Sequence, residues 1–470
     1  MHSVGIPNDD DTKKQRPETP LPWRQLGILL LLNLPEPISA CLIYPFIAQL
    51  VEELGVAQTK SSIGYYVGMV ESLFFVTEAL FILQWGRLSD RIGRKPVLVA
   101  GLVGLSFSMI SLGLSHSLLT VIISRALAGA LNGNIGVLKS AVGEIADETN
   151  LARAVSFIPL VWFFGSTIGP MLGGYTSHPA ERFPRLFNSP FWASNPYFLP
   201  CVVAAAFAFI CSFIALVFLK EVCPLPIITS ALLLPPTHPT DTSTLLQTTP
   251  APSAPLQTLM VRPVILAVSN YGVLALLDIS FQALLPIFLA GSLSMDPSTI
   301  GLILGSMGLF NGIVQVIFFV PLHRRFGTRF ILTGGILSFA LIFALFPIIS
   351  FCYARNGNQI GLDIWALIAL QGALCPVENM AFNVIFLYVQ ASSPSRDTLG
   401  ATNGIAQTAA SIARAIGPAG ATSLFALSMA RQDIAGGMLV YWVLGFVTIA
   451  AAGVSRMLPA EPWTTTKQDD

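Results

Sequence analysis

Twelve stretches of mostly apolar residues run through this chain, and each has about the 20 residues that a helix needs to cross a bilayer. The predicted spans, numbered 1 to 12, cover residues 26–50, 63–85, 96–115, 118–140, 151–175, 196–220, 262–290, 299–321, 330–353, 362–390, 398–426 and 434–456. Hydrocarbon offers no partner for an exposed backbone polar group, so such stretches fold as helices. The sequence therefore predicts an all-α membrane protein with twelve transmembrane helices.

Composition excludes the main soluble classes. Charged residues make up 11% of the chain, against roughly 25% in soluble domains, and hydrophobic residues make up 53%. The 25 cationic and 25 anionic residues give no basic face for a nucleic acid. The sequence has no CxxC pair and no G-x-S-x-G elbow. We expect neither an enzyme nor a bound cofactor or metal.

The stretch 221–260 divides the chain. It holds eight prolines, eight threonines and only two charged residues, which is typical of a flexible linker. We therefore predict two pseudo-symmetric six-helix bundles, 26–220 and 261–458, joined by a cytoplasmic linker. The tails, 1–25 and 459–470, complete the chain.

The cations predict the orientation. With both termini in the cytoplasm, 18 of the 25 Lys and Arg residues fall on the inner side, five fall in outer loops and two lie within spans. Cytoplasmic loops of membrane proteins carry such an excess. We expect both termini inside, and the plasma membrane rather than the vacuolar membrane.

The two halves resemble each other. Ile38-Ser39 followed by Pro45 matches Ile279-Ser280 followed by Pro286 at a constant offset of 241 positions. Ile-Gly-Pro occurs in both span 5 and span 11, and GRLSDRIGRK after span 2 has a shortened counterpart, HRRFGTR, after span 8. Repeats of this kind in transporters place the substrate between the halves, near the middle of the membrane.

Ionisable residues within the spans are the candidates for function, since each costs about 2.5–3.5 kcal/mol to insert. They are Glu36, Glu71, Glu78, Arg125, Asp278, Glu378 and Arg414. Glu36 and Asp278 occupy corresponding spans beside helix-breaking prolines, and Glu378 also follows a proline. A carboxylic acid in a poorly hydrated cavity can take up and release a proton, whereas Arg125 can only bias a nearby acid. Of Glu71 and Glu78, seven positions apart on one helix face, either one can simply pair with a neighbour.

Three motifs carry a family resemblance. The segment after span 2, with Gly86, Asp90, Arg91, Gly93, Arg94 and Lys95, resembles the loop signature of the major facilitator superfamily. Gly86 and Gly93 of this segment would allow tight turns. Arg125 to Gly129 in span 4 resembles that superfamily's second motif. Gly165, Gly169, Pro170, Gly173 and Gly174 in span 5 resemble the motif of its antiporter branch. The whole chain is most similar to the drug:proton antiporters, particularly the fungal and zinc-induced-facilitator-like members.

The resemblance implies alternating access, with spans 1, 4, 7 and 10 lining a cavity. It implies that Asp90 latches one state, that the motif glycines support gating, and that Arg125 tunes a proton-carrying acid, first of all Glu36. Tyr44, Trp162, Phe281 and Asn379 are the substrate-binding candidates, although most aromatic residues in such chains only pack or anchor.

The favoured function is proton-coupled efflux of a small organic molecule such as a drug, toxin or secondary metabolite. The partners are then that substrate, protons and the bilayer, and the protein is expected to be a monomer. Two alternatives stay open: a transporter of a metal or metal chelate, and a receptor that keeps the fold without transporting. The five histidines are scattered, so no His-rich loop favours the metal.

Overall fold

The computed structural model of the chain describes residues 19–132, 134–146, 150, 154, 157–221, 260–394 and 398–463. Every regular element in these residues is a helix. The predicted linker and most of both tails lie outside them.

The helices of the first half begin at residue 23. They are α1 Trp23–Asn33, α2 Pro35–Leu42, α3 Ile47–Glu53, α4 Ile63–Ile92, α5 Arg94–Gly113, α6 Leu118–Leu131, α7 Asn134–Ile145, α8 Ile158–Thr176 and α9 Phe198–Phe218. Two short helices, Pro179–Arg182 and Pro190–Ser194, lie in the connection between α8 and α9.

The helices of the second half are longer. They are α10 Arg262–Gly291, α11 Pro297–Phe326, α12 Thr328–Arg355, α13 Leu362–Ala391, α14 Leu399–Ala430 and α15 Leu439–Ser455. Helices lie at all twelve predicted positions. In the described part of the chain, nine segments are long and apolar enough to span a membrane. The all-helical membrane fold is thus confirmed, and the count of twelve spanning helices stays a prediction.

Span 1 is broken rather than continuous. Pro35 is the first residue of α2, and Pro45 lies in the four-residue turn between α2 and α3. A proline has no N–H to continue a helical ladder, so the chain restarts after each one. Span 4 is also interrupted, without a proline: α6 ends before Asn132, whose backbone is not helical.

The charged segment after span 2 is not the loop that its sequence suggests. Helix α4 continues to Ile92 and α5 begins at Arg94, so Gly86 lies inside a helix and makes no turn. Gly93 alone turns the chain, at φ +100°, a value that side chains with a Cβ rarely adopt. The expected tight turn is right at Gly93 and wrong at Gly86.

Each half packs mainly within itself, and two helix pairs join the halves. In the first half α5 packs on α9, α4 on α6 and α2 on α8; in the second, α10 packs on α14 and α12 on α13. Across the halves, α8 packs on α11 and α4 packs on α14. These two pairs bring the predicted bundles together around a central space.

Small residues let the halves approach closely at one end. A Cβ on Gly64 would lie 2.7 Å from the backbone oxygen of Thr422, and the Ala419 N–H donates to Ser72 Oγ at 2.9 Å. A Cβ on Gly174 would lie 3.0 Å from Cα of Gly301. We call this contact of α4 with α14 and of α8 with α11 the seam. It lies toward the end of the bundle where α3 leads into α4 and α8 leads into α9.

Candidate functional site

A cavity of about 690 Å³, including its open mouth, lies between the halves. Its walls come from α2 and α8 of the first half and from α10, α11 and α13 of the second. The lining side chains are those of Cys41, Tyr44, Trp162, Phe163, Ser166, Pro170, Asp278, Phe281, Gln282, Leu285, Leu304, Met307, Asn311, Cys375, Glu378 and Asn379, with Gly308 between them. We call it the central cavity.

All four substrate-binding candidates line the central cavity. Tyr44 and Phe281 are buried, while the Trp162 ring is 38% exposed. Asn379 lies beside them on α13. The placement fits the prediction for each residue, and their role in binding remains a prediction.

Two acids of the second half also line the cavity. Asp278 Oδ1 accepts a hydrogen bond of 2.8 Å from Gln282 Nε2. Glu378 Oε1 accepts one of 2.7 Å from Asn379 Nδ2, while its Oε2 is buried without a partner. Among the residues described, no Lys, Arg or His lines this cavity. A buried acid without a full set of partners favours either a proton or a cationic ligand.

The other two proton-coupling candidates lie elsewhere. Glu36 and Arg125 line a separate, smaller space inside the first half, together with Asn132 and Phe74. The Arg125 guanidinium stands 4.8 Å above the centre of the Phe74 ring. The structure therefore brings Glu36 and Arg125 together but keeps them apart from Asp278 and Glu378.

The sequence does not tell which of Glu71 and Glu78 pairs with a neighbouring residue; the structure does. Glu78 Oε1 accepts a hydrogen bond of 3.2 Å from Asn132 Nδ2. Glu71 is 1% exposed and neither of its carboxyl oxygens has a hydrogen-bond partner. Spacing alone places both on one face of α4, so only the neighbouring helices decide which one is paired.

Residues of the span 5 motif contact two different helices, α2 and α11. A Cβ on Gly165 would overlap Pro37, and one on Gly169 would lie 2.7 Å from the Ile38 backbone oxygen, so these glycines seat α8 on α2 within the first half. Gly173 does the same against Leu42. Gly174 instead faces α11 across the seam. The backbone oxygen of Pro170 also meets α11, since a Cβ on Gly301 would overlap it, so Pro170 and Gly174 are the residues of the motif that join the halves.

Arg94 is the best-connected cation of the charged segment. Its guanidinium donates to Glu144 Oε1 at 2.8 Å and to Ser89 Oγ at 2.5 Å. Its backbone N–H donates to Glu221 at 2.8 Å, and Lys95 N–H donates to the other oxygen of Glu221. Sequence reasoning missed both glutamates; the signal for Glu221 was its place directly after span 6.

The predicted latch residue of that segment lies at the end of α4. The backbone of Asp90 belongs to the helix, and its side chain lies outside the described residues. Arg91, next to it, is exposed. The latch therefore stays a prediction.

A polar cluster closes the seam end of the first half. Burial alone would raise the pKa of Glu53, but hydrogen bonds with His178 and from Tyr197, together with the charge of His178, leave it below its usual value. Tyr197 Oη donates to Glu53 at 2.7 Å. Beyond the cluster, Arg182 pairs with Asp296 at 3.2 Å, which links the connection after α8 to the start of α11.

Two helical halves around a substrate-sized cavity define a membrane transporter. The sequence profile of the Major Facilitator Superfamily matches residues 29–418. The chain belongs to this superfamily, and as such it is an integral multi-pass transporter of small molecules and not an enzyme.

Three proteins from fungi and a plant align with nearly the whole chain. The major facilitator-type transporter psiT2 of Psilocybe cyanescens is 30% identical over 99% of this chain and 95% of its own length. The multidrug transporter mfsB of Aspergillus fumigatus is 29% identical over 91% and 82%. Protein ZINC INDUCED FACILITATOR 1 of Arabidopsis thaliana is 28% identical over 95% and 93%. The resemblance to fungal multidrug and zinc-induced-facilitator proteins is confirmed.

Solved structures of distant relatives share the fold. A bacterial homologue of the human lysosomal transporter Spinster, in an inward-facing, unoccupied conformation, has a TM-score of 0.69 at 12% identity, over 95% of this chain and all of that one. A D-xylose–proton symporter has a TM-score of 0.67 at 14% identity, over 93% and 98%.

Proposed function

We propose that the protein is a proton-coupled exporter of small organic cations or neutral amphiphiles. The observation that carries the proposal is the lining of the central cavity, where Asp278 and Glu378 stand among aromatic rings and no basic side chain of the described residues joins them. An anionic substrate would meet two carboxyl groups and no basic side chain in the described lining, although Arg414 lies within electrostatic reach of Asp278.

The aromatic rings suit this substrate class. Trp162 and Phe281 present flat apolar surfaces, and a cation over such a ring gains about 0.5–2 kcal/mol. Asp278 and Glu378 then offer either a counter-charge or a proton site. A proton and a cation that compete for the same carboxyl groups are exchanged in opposite directions, which is the basis of antiport.

The seam supports alternating access. With the termini in the cytoplasm, as the Lys and Arg distribution predicts, the seam lies at the outer end and the central cavity opens inward. A rocking movement of the halves would open the seam and close the opposite end around the same cavity. The seam joins helices of different halves, so its opening would leave the packing within each half in place.

The names of the relatives favour export of organic molecules. A multidrug transporter and an efflux pump of Aspergillus species are each about as similar to this chain as the zinc-induced facilitator is. The metal alternative draws no support from the described residues, in which no group of three His, Cys, Asp or Glu side chains is arranged to hold an ion.

Transport in proteoliposomes tests the proposal. Purified protein is reconstituted with an imposed pH gradient, and uptake of ethidium, of a neutral amphiphile and of zinc is compared. Gradient-driven ethidium accumulation should be lost in Asp278→Asn. Asp363→Asn is the matched control, since Asp363 lies on the second half in the first turn of α13, outside the cavity. Zinc uptake without ethidium uptake, or ethidium uptake that ignores the gradient, would contradict the proposal.

Native cysteines provide a second readout. Cys41 and Cys375 line the central cavity from opposite halves, whereas Cys201 and Cys211 are buried in the first half away from it. Ethidium in the cavity should slow labelling of Cys41 and Cys375 by a small membrane-permeant thiol reagent. Unchanged labelling at saturating ethidium would place the binding site elsewhere.

A further inference from the structure

Glu71 is a carboxyl group held without partners inside the first half. It is 1% exposed, and both of its oxygens are buried and make no hydrogen bond. An ionised carboxylate in such a place would be strongly destabilised unless a cation paired with it. The described residues form no ion pair with Glu71, so the surroundings favour the neutral acid.

The position of Glu71 on α4 connects it to the seam. Gly64, Gly68 and Ser72 are the α4 residues that touch α14, and Glu71 lies seven positions after the first and one before the last. On a helix these four positions share one side. Glu71 therefore lies on the side of α4 that packs against α14 at the seam.

Few groups face Glu71. Arg125 of α6 is the cation within electrostatic reach, and Tyr44 and Cys41 beside the central cavity are the other titratable groups that sense it. From α14, the residues that meet this part of α4 are Pro418, Ala419 and Thr422, none of which titrates. Arg125 Nε is itself buried without a hydrogen-bond partner.

We infer that Glu71 is a proton-sensitive switch of the seam: its carboxyl group is protonated while the seam is closed and ionised when the seam opens. Separation of α4 from α14 admits water to the carboxyl group. The O–H bond then breaks, the proton passes to water on the seam side, and the carboxylate is balanced by Arg125. Closure of the seam requires that the carboxylate take a proton back from water on that same side, so Glu71 makes closure depend on the pH there and moves no net proton across the membrane. The inference rests on the proposed proton coupling and adds a second acid, outside the central cavity, that ties protonation to conformation.

Infrared spectroscopy tests the protonation directly and needs no substrate. Near neutral pH the wild-type protein should show the C=O stretch of a protonated carboxylic acid that Glu71→Gln lacks and Glu78→Gln retains. Glu78 is the matched control because it lies on the same face of α4 and is paired with Asn132. Identical carboxylic-acid bands in the wild type and Glu71→Gln would overturn the inference.

Transport separates this inference from the proposed function. If wild-type ethidium uptake ignores the pH gradient, the proposed coupling fails whatever the infrared result. If the wild type is coupled, the uptake rate of Glu71→Gln should no longer depend on the pH of the seam side when the pH of the other side is held fixed, while the variant still binds ethidium. Glu78→Gln should keep the wild-type profile. A wild-type profile in Glu71→Gln would exclude Glu71 from coupling.

A conservative variant guards against a folding defect. Glu71→Asp keeps the acid, so it should keep a carboxylic-acid band, shifted in frequency, and a pH-dependent rate. Loss of the pH dependence in a folded Glu71→Asp protein that still shows the band would also contradict the inference.

Discussion

The carboxylate of Glu221 accepts a hydrogen bond of 2.8 Å from the backbone N–H of Arg94, 127 positions earlier in the chain. It thereby caps the first turn of α5 and lies against Gly93, where a Cβ would come within 2.7 Å of the carboxylate. A negative charge at a helix N-terminus is stabilising because the first N–H groups have no helical partner. Glu221, three positions after the end of α9, is thus tied to the turn between α4 and α5.

Glu461 repeats this arrangement in the second half. It follows α15, and a Cβ on Gly327 would lie 2.9 Å from its Oε1. Thr328 Oγ1, at the start of α12, donates to Glu461 Oε2 at 2.7 Å. Gly327, like Gly93, has a positive φ and separates two helices. The duplication predicted from short motifs is visible here as the same turn, closed by the same residue type.

Removal of the Glu221 carboxylate should lower stability. Glu221→Ala loses the hydrogen bonds to the N–H groups of Arg94 and Lys95, and helix caps of this kind contribute about 0.5–2 kcal/mol. The apparent melting temperature in detergent should fall. Glu52→Ala, at an exposed position outside both turns, is the control. An unchanged melting temperature would show that the cap contributes nothing measurable.

A side chain at Gly174 should force the seam apart. A Cβ there would overlap the backbone oxygen of Pro297, and overpacking costs about 1–3 kcal/mol. Gly174→Ala should therefore favour the seam-open state and increase labelling of Cys41 by a reagent that reaches only the seam side. Gly334→Ala on α12 is the control, because a Cβ there meets nothing within 4 Å. Equal labelling in both variants would contradict the prediction.

The Arg182–Asp296 pair should resist acid. Burial would raise the pKa of Asp296, but hydrogen bonds from Ser298 and Thr299 and the nearby Arg182 lower it from 3.8 to about 2. A depressed pKa contributes stability above the unfolded value that is lost as the pH falls through the folded one. Wild type should therefore exceed Asp296→Asn in melting temperature at neutral pH and down to pH 3.8, and the difference should shrink toward pH 2. A difference already gone at pH 5 would refute this.

The Trp162 ring should select for cations. Trp162→Ala removes the most exposed aromatic surface of the central cavity and should weaken ethidium binding by about 0.5–2 kcal/mol, with a smaller effect on a neutral amphiphile of similar size. Fluorescence titration measures both affinities. Trp442→Ala is the control, since this ring is 67% exposed on the outer face of α15. Equal losses for both ligands would mean that Trp162 supplies only apolar area.

The sequence by itself determined the membrane-spanning segments, the division into halves and the turn at Gly93. Hydropathy and backbone freedom are properties of consecutive residues, so no neighbour is needed to detect them. It also named six of the residues that line the central cavity. Tyr44, Phe281, Asp278, Glu378 and Asn379 lie on spans 1, 7 and 10, which the family resemblance places there, whereas Trp162 lies on span 5 and no described residue of span 4 lines the cavity.

Only the tertiary structure decided which neighbours each of two similar residues contacts. Glu71 and Glu78 lie on one helix face and have the same chemistry, yet Asn132 pairs with Glu78 while the oxygens of Glu71 are buried without a hydrogen-bond partner. Gly174 faces α11 across the seam while Gly173, its neighbour, faces Leu42. These differences depend on the rotation of one helix against another, and that rotation results from the packing of all the helices together.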